Sequence, residues 1–245
     1  MNLTINGRHF RPSLLPSILA ILFFCLFLSL GFWQLDRAEY KRELHTEFVK
    51  KNTAEAIALQ EIIAENAETY LWRPAIAQGV FGKGVNILLD NQVVKTQAGY
   101  FVYTPLQLLD SDKWVMVNRG WLAAGHDRSV IPEIKQIETT VSLKGVIKEL
   151  PKTGILLQEA VPEKMNKDII RVQKLDLNQV EQLLDIKLLP FIFRLDPESE
   201  HGFVRDWPVP GSGEEMHKGY AFQWFAFAAT LFVIFIILSF KKVDI

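Results

Sequence analysis

The sequence predicts a membrane-anchored α+β protein, in which two transmembrane helices flank a domain with a mixed or antiparallel, barrel-like sheet and a few short helices. Two observations carry this prediction. Residues 14–32 and 220–240 contain no charged side chain, and each stretch is long enough to cross a hydrocarbon core of roughly 30 Å as a helix. Between them, residues 73–205 are dominated by short apolar segments with the period of two that is typical of β-strands.

The composition agrees with this mixture. Of 245 residues, 49% are hydrophobic and 22% are charged, which is apolar for a soluble enzyme and highly charged for a multi-span transporter. A formal net charge of −1 excludes the basic excess with which nucleic-acid binders neutralise phosphates, so no nucleic-acid partner is expected. The single cysteine, Cys25, excludes an internal disulfide and every metal site that needs several cysteines.

The amino-terminal region is predicted as a tail over residues 1–12, followed by a transmembrane helix over residues 13–35. A cleaved signal peptide is the alternative, because basic residues precede the apolar run. However, the run is longer than a signal peptide needs, and it ends around Gly31, Trp33 and Gln34 rather than at a small-residue cleavage site. We therefore expect an anchor that is not cleaved, with its helix continuing into water.

The domain between the spans covers residues 36–219. It begins with a helical region over residues 36–66, which includes a second short helix within residues 53–66. Residues 73–205 are predicted to be mainly β. Short strands are predicted in seven places, over residues 74–81, 86–91, 100–106, 114–119, 141–147, 169–173 and 191–195.

One helix is predicted among these strands, over residues 176–184, where Asp176 is the expected N-cap and leucines and valine form an apolar stripe. Residues 206–215 are rich in proline and glycine and are predicted to be an irregular linker that returns the chain to the membrane. A second transmembrane helix over residues 220–240 and a short tail over residues 241–245 follow.

Two spans place both termini on the same side of a membrane. The tails carry Arg8, Arg11, Lys241 and Lys242, but basic residues also follow the first span, so the positive-inside rule alone decides little. Because long domains cross the membrane largely regardless of charge, we expect both termini in the cytoplasm and the large domain in the periplasm. No leader rich in Arg and Ser precedes the first span, which favours the plasma (inner) membrane of a bacterium over an imported organelle protein.

The common catalytic motifs are missing from the sequence. It has no G-x-S-x-G elbow, no H-E-x-x-H pair and no phosphate-binding loop, so we do not expect an enzyme. His9, His45, His126 and His201 are each expected to be solvated surface residues, because no second histidine or cysteine stands at metal-ligand spacing from them.

His217 is different because it precedes the second span directly. On a helix entering the membrane, His217, Tyr220, Ala221 and Trp224 fall along one face. An imidazole above an aromatic wall suits a flat apolar ligand with a metal centre, such as haem. His, Tyr and Trp are equally typical of bilayer interfaces as amphipathic anchors, so both interpretations stay open.

Two glutamines lie at matching depth in the spans. Gln34 and Gln223 each fall about one helical turn inside the outer boundary, where an amide side chain needs a polar partner. We expect either a hydrogen bond between Gln34 and Gln223 that joins the helices or two independent amides that reach water.

Three segments resemble the motifs of one known family. At the end of the first span, a G-x-W-Q-L-x-R signature is matched by Gly31, Trp33, Gln34, Leu35 and Arg37. An N-R-G-W element and an H-x-x-Y-A-x-Q-W-F element are matched by Asn118, Arg119, Gly120, Trp121, His217, Tyr220, Ala221, Gln223, Trp224 and Phe225. In this order and with two anchors, they make the chain resemble the Surfeit locus protein 1 family over nearly its whole length.

The resemblance implies a role and partners. Members of this family are assembly factors for haem–copper cytochrome c oxidase, which implies a non-catalytic membrane protein that promotes insertion of haem a into the catalytic subunit of the oxidase. The implied partners are that subunit, the haem a synthesis enzymes and membrane lipid. The role of axial ligand to the haem a iron falls on His217, with Tyr220 and Trp224 beside it. A scaffold that holds the catalytic subunit and never ligates haem is the alternative.

Different roles are expected for the two arginines of these motifs. Arg119, in a strand-end turn before Trp121, is expected to pair with a carboxylate or to cap the sheet, with a haem propionate as the alternative partner. Arg37 is expected to anchor the first span at the lipid headgroups. The sequence departs from the family pattern at Glu215, where many members have Asn, and at residues 122–124 after the N-R-G-W turn.

Overall fold

Two long helices and a β-barrel dominate the structure, a computed structural model that describes residues 4–5, 8–62, 64–82, 84–125, 127, 130–152 and 161–242. The chain divides into two units. One consists of Met1–Glu47 with Pro208–Ile245, and we call it the helical unit. The other consists of Phe48–Trp207, and we call it the barrel unit.

Three α-helices are present in the described part of the chain: α1 (Leu14–Asn52), α2 (Leu177–Leu184) and α3 (Glu214–Ser239). Helices α1 and α3 are long and apolar enough to cross a membrane. Only 6% and 11% of the residues in their most apolar windows are buried, which separates them from the core helices of soluble proteins. They suggest membrane anchoring at the two places where spans were predicted, and α1 continues beyond its span as expected.

Helix α3 begins earlier than the sequence predicted. Its N-cap is Gly213 at φ +96°, a left-handed conformation that glycine adopts without steric cost. Glu214 and Glu215 occupy the first turn, where carboxylates interact favourably with the helix dipole, and both pair with Lys218, at 2.6 and 3.0 Å. The linker predicted over residues 206–215 therefore ends at Gly213, and the residues just before the predicted span are already helical.

The described residues form twelve strands, numbered in chain order: β1 (Thr4–Ile5), β2 (Arg8–Phe10), β3 (Ile57–Ala58), β4 (Pro74–Phe81), β5 (Asn86–Val94), β6 (Gln97–Leu108), β7 (Trp114–Ala123), β8 (Val141–Lys148), β9 (Glu163–Lys164), β10 (Ile169–Val172), β11 (Leu188–Leu195) and β12 (Phe240–Lys242). Strands β1, β2 and β12 pair as a small sheet of the two tails, which the sequence did not predict. The other nine form one sheet in the barrel unit, and all seven predicted strands are among them.

Five strands of the large sheet close into a barrel in the order β4-β8-β11-β7-β6, and β6 returns to β4. Neighbouring strands are antiparallel, except that β11 and β7 are parallel. Strand β6 is long enough to pair with β5 through its first part and with β4 through its last residues. The predicted mixed, barrel-like sheet with few helices is therefore confirmed.

Alternate apolar side chains of the strands fill the barrel. Buried residues of this core are Leu106, Leu108, Val115, Val117, Leu143, Ile147, Phe191, Phe193 and Leu195. Most of them are spaced two apart along their strands, which is the period that predicted the strands. Helix α2 packs on a second cluster outside this core. It begins as predicted, because the Asp176 carboxylate accepts hydrogen bonds from the backbone N–H groups of Asn178 and Gln179 at 3.1 and 3.4 Å.

The second short helix predicted within residues 53–66 is present only as short 3₁₀-helices. The described residues there form β3 and two 3₁₀-helices, Leu59–Glu61 and Ala64–Tyr70. Leu59 and Ile62 are 0% and 1% exposed and belong to the barrel core. Burial of these two side chains outweighs the helix preference of the alanines around them, because propensity is weaker than tertiary packing.

Candidate functional site

His217 and Gln34 form a hydrogen bond between α3 and α1 inside the helical unit. His217 Nδ1 and Gln34 Oε1 are 2.8 Å apart, and both side chains are half-buried. An amide oxygen only accepts hydrogen bonds, so Nδ1 carries the proton and donates it. In the neutral form of the ring, a proton on Nδ1 leaves the lone pair on Nε2, which is the tautomer that binds a metal through Nε2.

This donor fits haem better than it fits a bare metal ion. Within the described residues, no group of three or more His, Cys, Asp or Glu side chains is placed to hold a metal ion. Haem brings four nitrogen ligands of its own and needs only one or two axial ligands from a protein. A single imidazole such as that of His217 is chemically suited to that position.

The residues predicted to share one face of α3 with His217 have two kinds of surroundings: some pack against α1, and one is exposed. Ala221 is 1% exposed, and Trp224 stacks on Phe27 of α1 with ring centroids 5.8 Å apart. Tyr220 is 45% exposed, one turn along the helix from His217. Of the two aromatic residues predicted to flank a haem, Tyr220 is therefore open to a flat ligand, whereas Trp224 stabilises the helix pair.

Close approach of the two helices depends on Gly31. A Cβ built on Gly31 would lie 2.5 Å from Cε1 of Phe225, so a larger residue would displace the ring or separate the helices. Gly31 lies one turn before Gln34 on α1. The glycine thus controls the distance across which Gln34 reaches His217.

The predicted hydrogen bond between Gln34 and Gln223 is wrong. Gln34 bonds with His217 instead, and Gln223 is exposed on α3. The sequence analysis already placed His217 on the helix that enters the membrane, but it did not identify the His217 ring as the hydrogen-bond partner of Gln34 across the helix pair.

The G-x-W-Q-L-x-R signature lies in the helical unit, and the N-R-G-W element lies in the barrel unit. Trp33 is 56% exposed, and the guanidinium of Arg37 lies 5.0 Å above the ring of Tyr40, so both face outwards on α1. That Arg37 anchors the span at headgroups stays a prediction. In the barrel unit, Trp121 is buried and its indole N–H donates to the Gln92 carbonyl at 3.0 Å.

The N-R-G-W element is an irregularity inside β7 and not the strand-end turn that was predicted. The register with β6 shifts here, from Gly120 opposite Val102 to Asn118 opposite Tyr103, which makes Arg119 the extra residue of a β-bulge. Gly120 has φ +115°, a conformation that side chains rarely permit. Asn118 holds the bulge, because its side chain donates to the Tyr103 hydroxyl at 3.1 Å and accepts from the Gly120 N–H at 3.0 Å.

Arg119 is buried in the barrel unit, with 5% of its surface exposed. Its Nε donates to the His201 carbonyl at 2.8 Å, and its guanidinium lies 5.2 and 5.0 Å from the ring centroids of Phe81 and Phe203. Burial lowers the pKa of Arg119 to about 10. Within the described residues no carboxylate pairs with Arg119, and its other hydrogen-bond acceptors are Asn86 and Thr104 at 3.5 and 3.4 Å. The alternative haem propionate partner stays a prediction.

The remaining histidines differ in exposure. His45 and His201 are exposed as predicted, whereas His9 is half-buried in β2 and His126 lies outside the described residues. His45 Nδ1 donates to the Pro210 carbonyl at 3.2 Å, so His45 resembles His217 in its hydrogen bonding. It lies on a charged, exposed stretch of α1, which does not suit an apolar ligand.

Comparison with known proteins agrees with the motifs. The sequence pattern of the SURF1 family, which is the Surfeit locus protein 1 family, matches residues 21–229. A SURF1-like protein of Rickettsia felis is 25% identical over 227 residues, which cover 90% of this chain and 95% of the relative. A SURF1-like protein of Rickettsia bellii is 27% identical over 220 residues, which cover 86% of each chain. The cytochrome oxidase assembly protein SHY1 of Saccharomyces cerevisiae is 27% identical over 109 residues, which cover 44% of this chain and 27% of the relative.

The family pattern extends from within α1 to within α3, and so covers all three motifs and well over half of the chain. The resemblance predicted from those motifs is therefore confirmed, and this chain belongs to the SURF1 family.

Proposed function

We propose that this chain is an assembly factor for haem–copper cytochrome c oxidase, which binds haem a at the outer membrane interface and promotes its insertion into the catalytic subunit. Membership of the SURF1 family and the name of yeast SHY1, a cytochrome oxidase assembly protein, support the assembly role. On this proposal the chain is not an enzyme. Both termini lie in the cytoplasm of a bacterium and the barrel unit lies in the periplasm, and the relatives from Rickettsia support the bacterial setting.

The hydrogen bond between His217 and Gln34 carries the haem-binding part of this proposal. With the proton on Nδ1, the lone pair of the neutral imidazole lies on Nε2, where it is available to an iron. When bound, haem a supplies the iron that accepts this lone pair and a long isoprenoid tail that prefers lipid to water. His217 lies in the first turns of an apolar helix, which suits a ligand with one end near water and the other in lipid.

A carrier must also release its haem. One histidine ligand holds an iron less firmly than two, and His217 is the one ligand that this proposal assigns to the chain. This arrangement favours transfer over permanent binding.

Deletion of the chain tests the assembly role. In cells that lack it, cytochrome oxidase is expected to contain less haem a while haem a synthesis continues, because the proposal places the chain after synthesis. The measurement is the haem a content of the purified oxidase, compared with the rate of haem a synthesis in the same cells. Loss of synthesis itself would contradict the proposal and would indicate an enzyme of haem a formation.

Gln34→Leu tests the positioning of His217. Haem a affinity is expected to fall roughly tenfold or more, because a hydrogen-bond partner of a ligating histidine fixes its tautomer and orientation. The measurement is a visible-absorption titration of the detergent-solubilised chain with haem a. Gln34→Glu keeps an acceptor for Nδ1 and should retain binding.

Gln223→Leu is the matched control, because Gln223 is an exposed glutamine in the same unit. If Gln34→Leu and Gln223→Leu bind haem a equally well, Gln34 does not position the ligand.

A further inference from the structure

Two cations of the barrel unit lie together on one face of the sheet. Strands β8 and β11 are antiparallel neighbours, and Arg194 stands opposite Val146, two residues from Lys148, so Lys148 and Arg194 are diagonal neighbours. Lys148 Nζ and the Arg194 guanidinium carbon lie 3.0 and 6.0 Å from the ring centroid of Trp72. The same guanidinium carbon lies 5.1 Å from the ring centroid of Trp207. We call Trp72, Lys148, Arg194 and Trp207 the indole–cation cluster.

Within the described residues, the two cationic side chains have no counter-ion in contact. The side chains of Lys148 and Arg194 make no ion pair within 4 Å and no hydrogen bond there, and Glu149 and Asp196 attract them only from further away. Burial and then repulsion by Arg194 lower the pKa of Lys148 to about 8, and burial also lowers the pKa of Arg194. Two adjacent, half-buried cations without acceptors are unfavourable, and a bound anion would offset that cost.

The two indoles are fixed by the fold around the cations. Trp72 has φ +72°, a region that bulky residues avoid, and its backbone N–H donates to the Ile147 carbonyl at 2.8 Å. Phe48 packs edge-on against Trp72 at 5.4 Å. The Trp207 indole N–H donates to the Leu195 carbonyl at 2.9 Å. Strain of this kind persists only where the surroundings hold it, and it is frequent at ligand sites.

We propose that Lys148 and Arg194 form a binding site for a phosphate group, framed by Trp72 and Trp207. The guanidinium offers paired N–H donors that match phosphate oxygens, and the ammonium adds a compact second charge. Two positive charges side by side match a phosphate better than the single charge of a carboxylate. The phosphate belongs either to a soluble phosphate ester or to a lipid headgroup, and the proposal does not depend on haem binding by His217.

Thermal unfolding of the full chain in detergent tests the site, with inorganic phosphate as the probe. At constant pH and ionic strength, replacing chloride by phosphate is expected to raise the Tm in a saturable way, because a ligand that binds only the folded chain stabilises it. The double substitution Lys148→Met and Arg194→Met should remove this increase, since phosphate affinity falls roughly tenfold or more when charged hydrogen bonds are lost.

The matched control is the double substitution Lys167→Met and Lys174→Met, which removes two exposed lysines elsewhere in the barrel unit. Their side chains are 89% and 50% exposed and each pairs with a neighbouring aspartate. This control should keep the increase in Tm.

Tryptophan fluorescence gives a second readout in the wild-type chain, which does not depend on any variant folding. Phosphate beside Trp72 and Trp207 is expected to change the emission along the same saturation curve. An equal response of the wild-type chain to phosphate and chloride would overturn the proposal. So would a response that the Lys148 and Arg194 variant retains, or binding of a hexaglutamate peptide in place of phosphate, which would assign the cluster to an acidic protein partner.

Nanodiscs separate the two sources of the phosphate group. In discs of phosphatidylcholine, a fluorescence response to soluble glycerol phosphate indicates a soluble ester. In discs that contain phosphatidylglycerol, a response without any added phosphate indicates a lipid headgroup. No response in either kind of disc overturns the proposal. All of these readouts are made without haem, so they are unaffected if His217 binds none.

Discussion

His217→Ala is expected to lower the haem a content of the purified chain by more than about tenfold, because it removes the only nitrogen that the proposal offers to the iron. The measurement is the visible spectrum and the extracted haem a of protein purified from cells that make haem a. The substitution leaves Gln34 without its partner at one half-buried position, which is a small perturbation beside the loss of an axial ligand.

His45→Ala is the control for this experiment. His45 lies in the same unit and its Nδ1 donates to a carbonyl oxygen as that of His217 donates to an amide, but its surroundings are charged and exposed. It should leave the haem a content unchanged. If His217→Ala also retains its haem a and still supports oxidase assembly, the ligand hypothesis fails and the scaffold that never ligates haem becomes the better account.

Helices and strands that are specified by the residues within them were predictable from the sequence. Strands β4 and β8 follow an alternating apolar pattern, α2 begins at the side-chain cap Asp176, and both spans are uncharged runs. Residues 53–66 form short 3₁₀-helices and a strand instead of one regular helix, because their conformation depends on the barrel interior, where Leu59 and Ile62 are buried. A local pattern is therefore decisive only where burial in the core does not compete with it.

For the candidate site, the sequence predicted the ligand residue but not the hydrogen bond that positions it. His217 stands out because it precedes an apolar span, but its partner Gln34 is 183 residues away and no spacing rule connects them. Lys148 and Arg194 are likewise ordinary strand residues until the register of β8 and β11 makes them neighbours. The bulge that buries Arg119 is also a property of strand pairing. Contacts between side chains of distant elements depend on how helices and strands pair, and short sequence patterns do not specify that pairing.

Pairing of β4 with β6 closes the barrel, and this pairing, which we call the seam, depends on Gly79. Strands β4 and β6 meet there through three residue pairs, with Gly79 opposite Leu108. A Cβ built on Gly79 would overlap the backbone carbonyl oxygen of Gln107 and would lie 3.2 Å from Cγ of Leu106. A backbone atom cannot rotate away as a side chain can, so a larger residue must push β4 and β6 apart.

Gly79→Ala is therefore expected to destabilise the barrel unit by about 3 kcal/mol or more, because overpacking against backbone breaks part of the seam. For a unit of this size, that lowers the Tm by roughly 6 to 12 °C, which thermal unfolding of the full chain in detergent measures. Gly125→Ala is the matched control, since among the described residues a Cβ there would meet nothing closer than the Asp127 carbonyl oxygen at 3.7 Å. Equal Tm values for the two variants would mean that β4 and β6 separate without cost, and the five strands would then form an open sheet in solution.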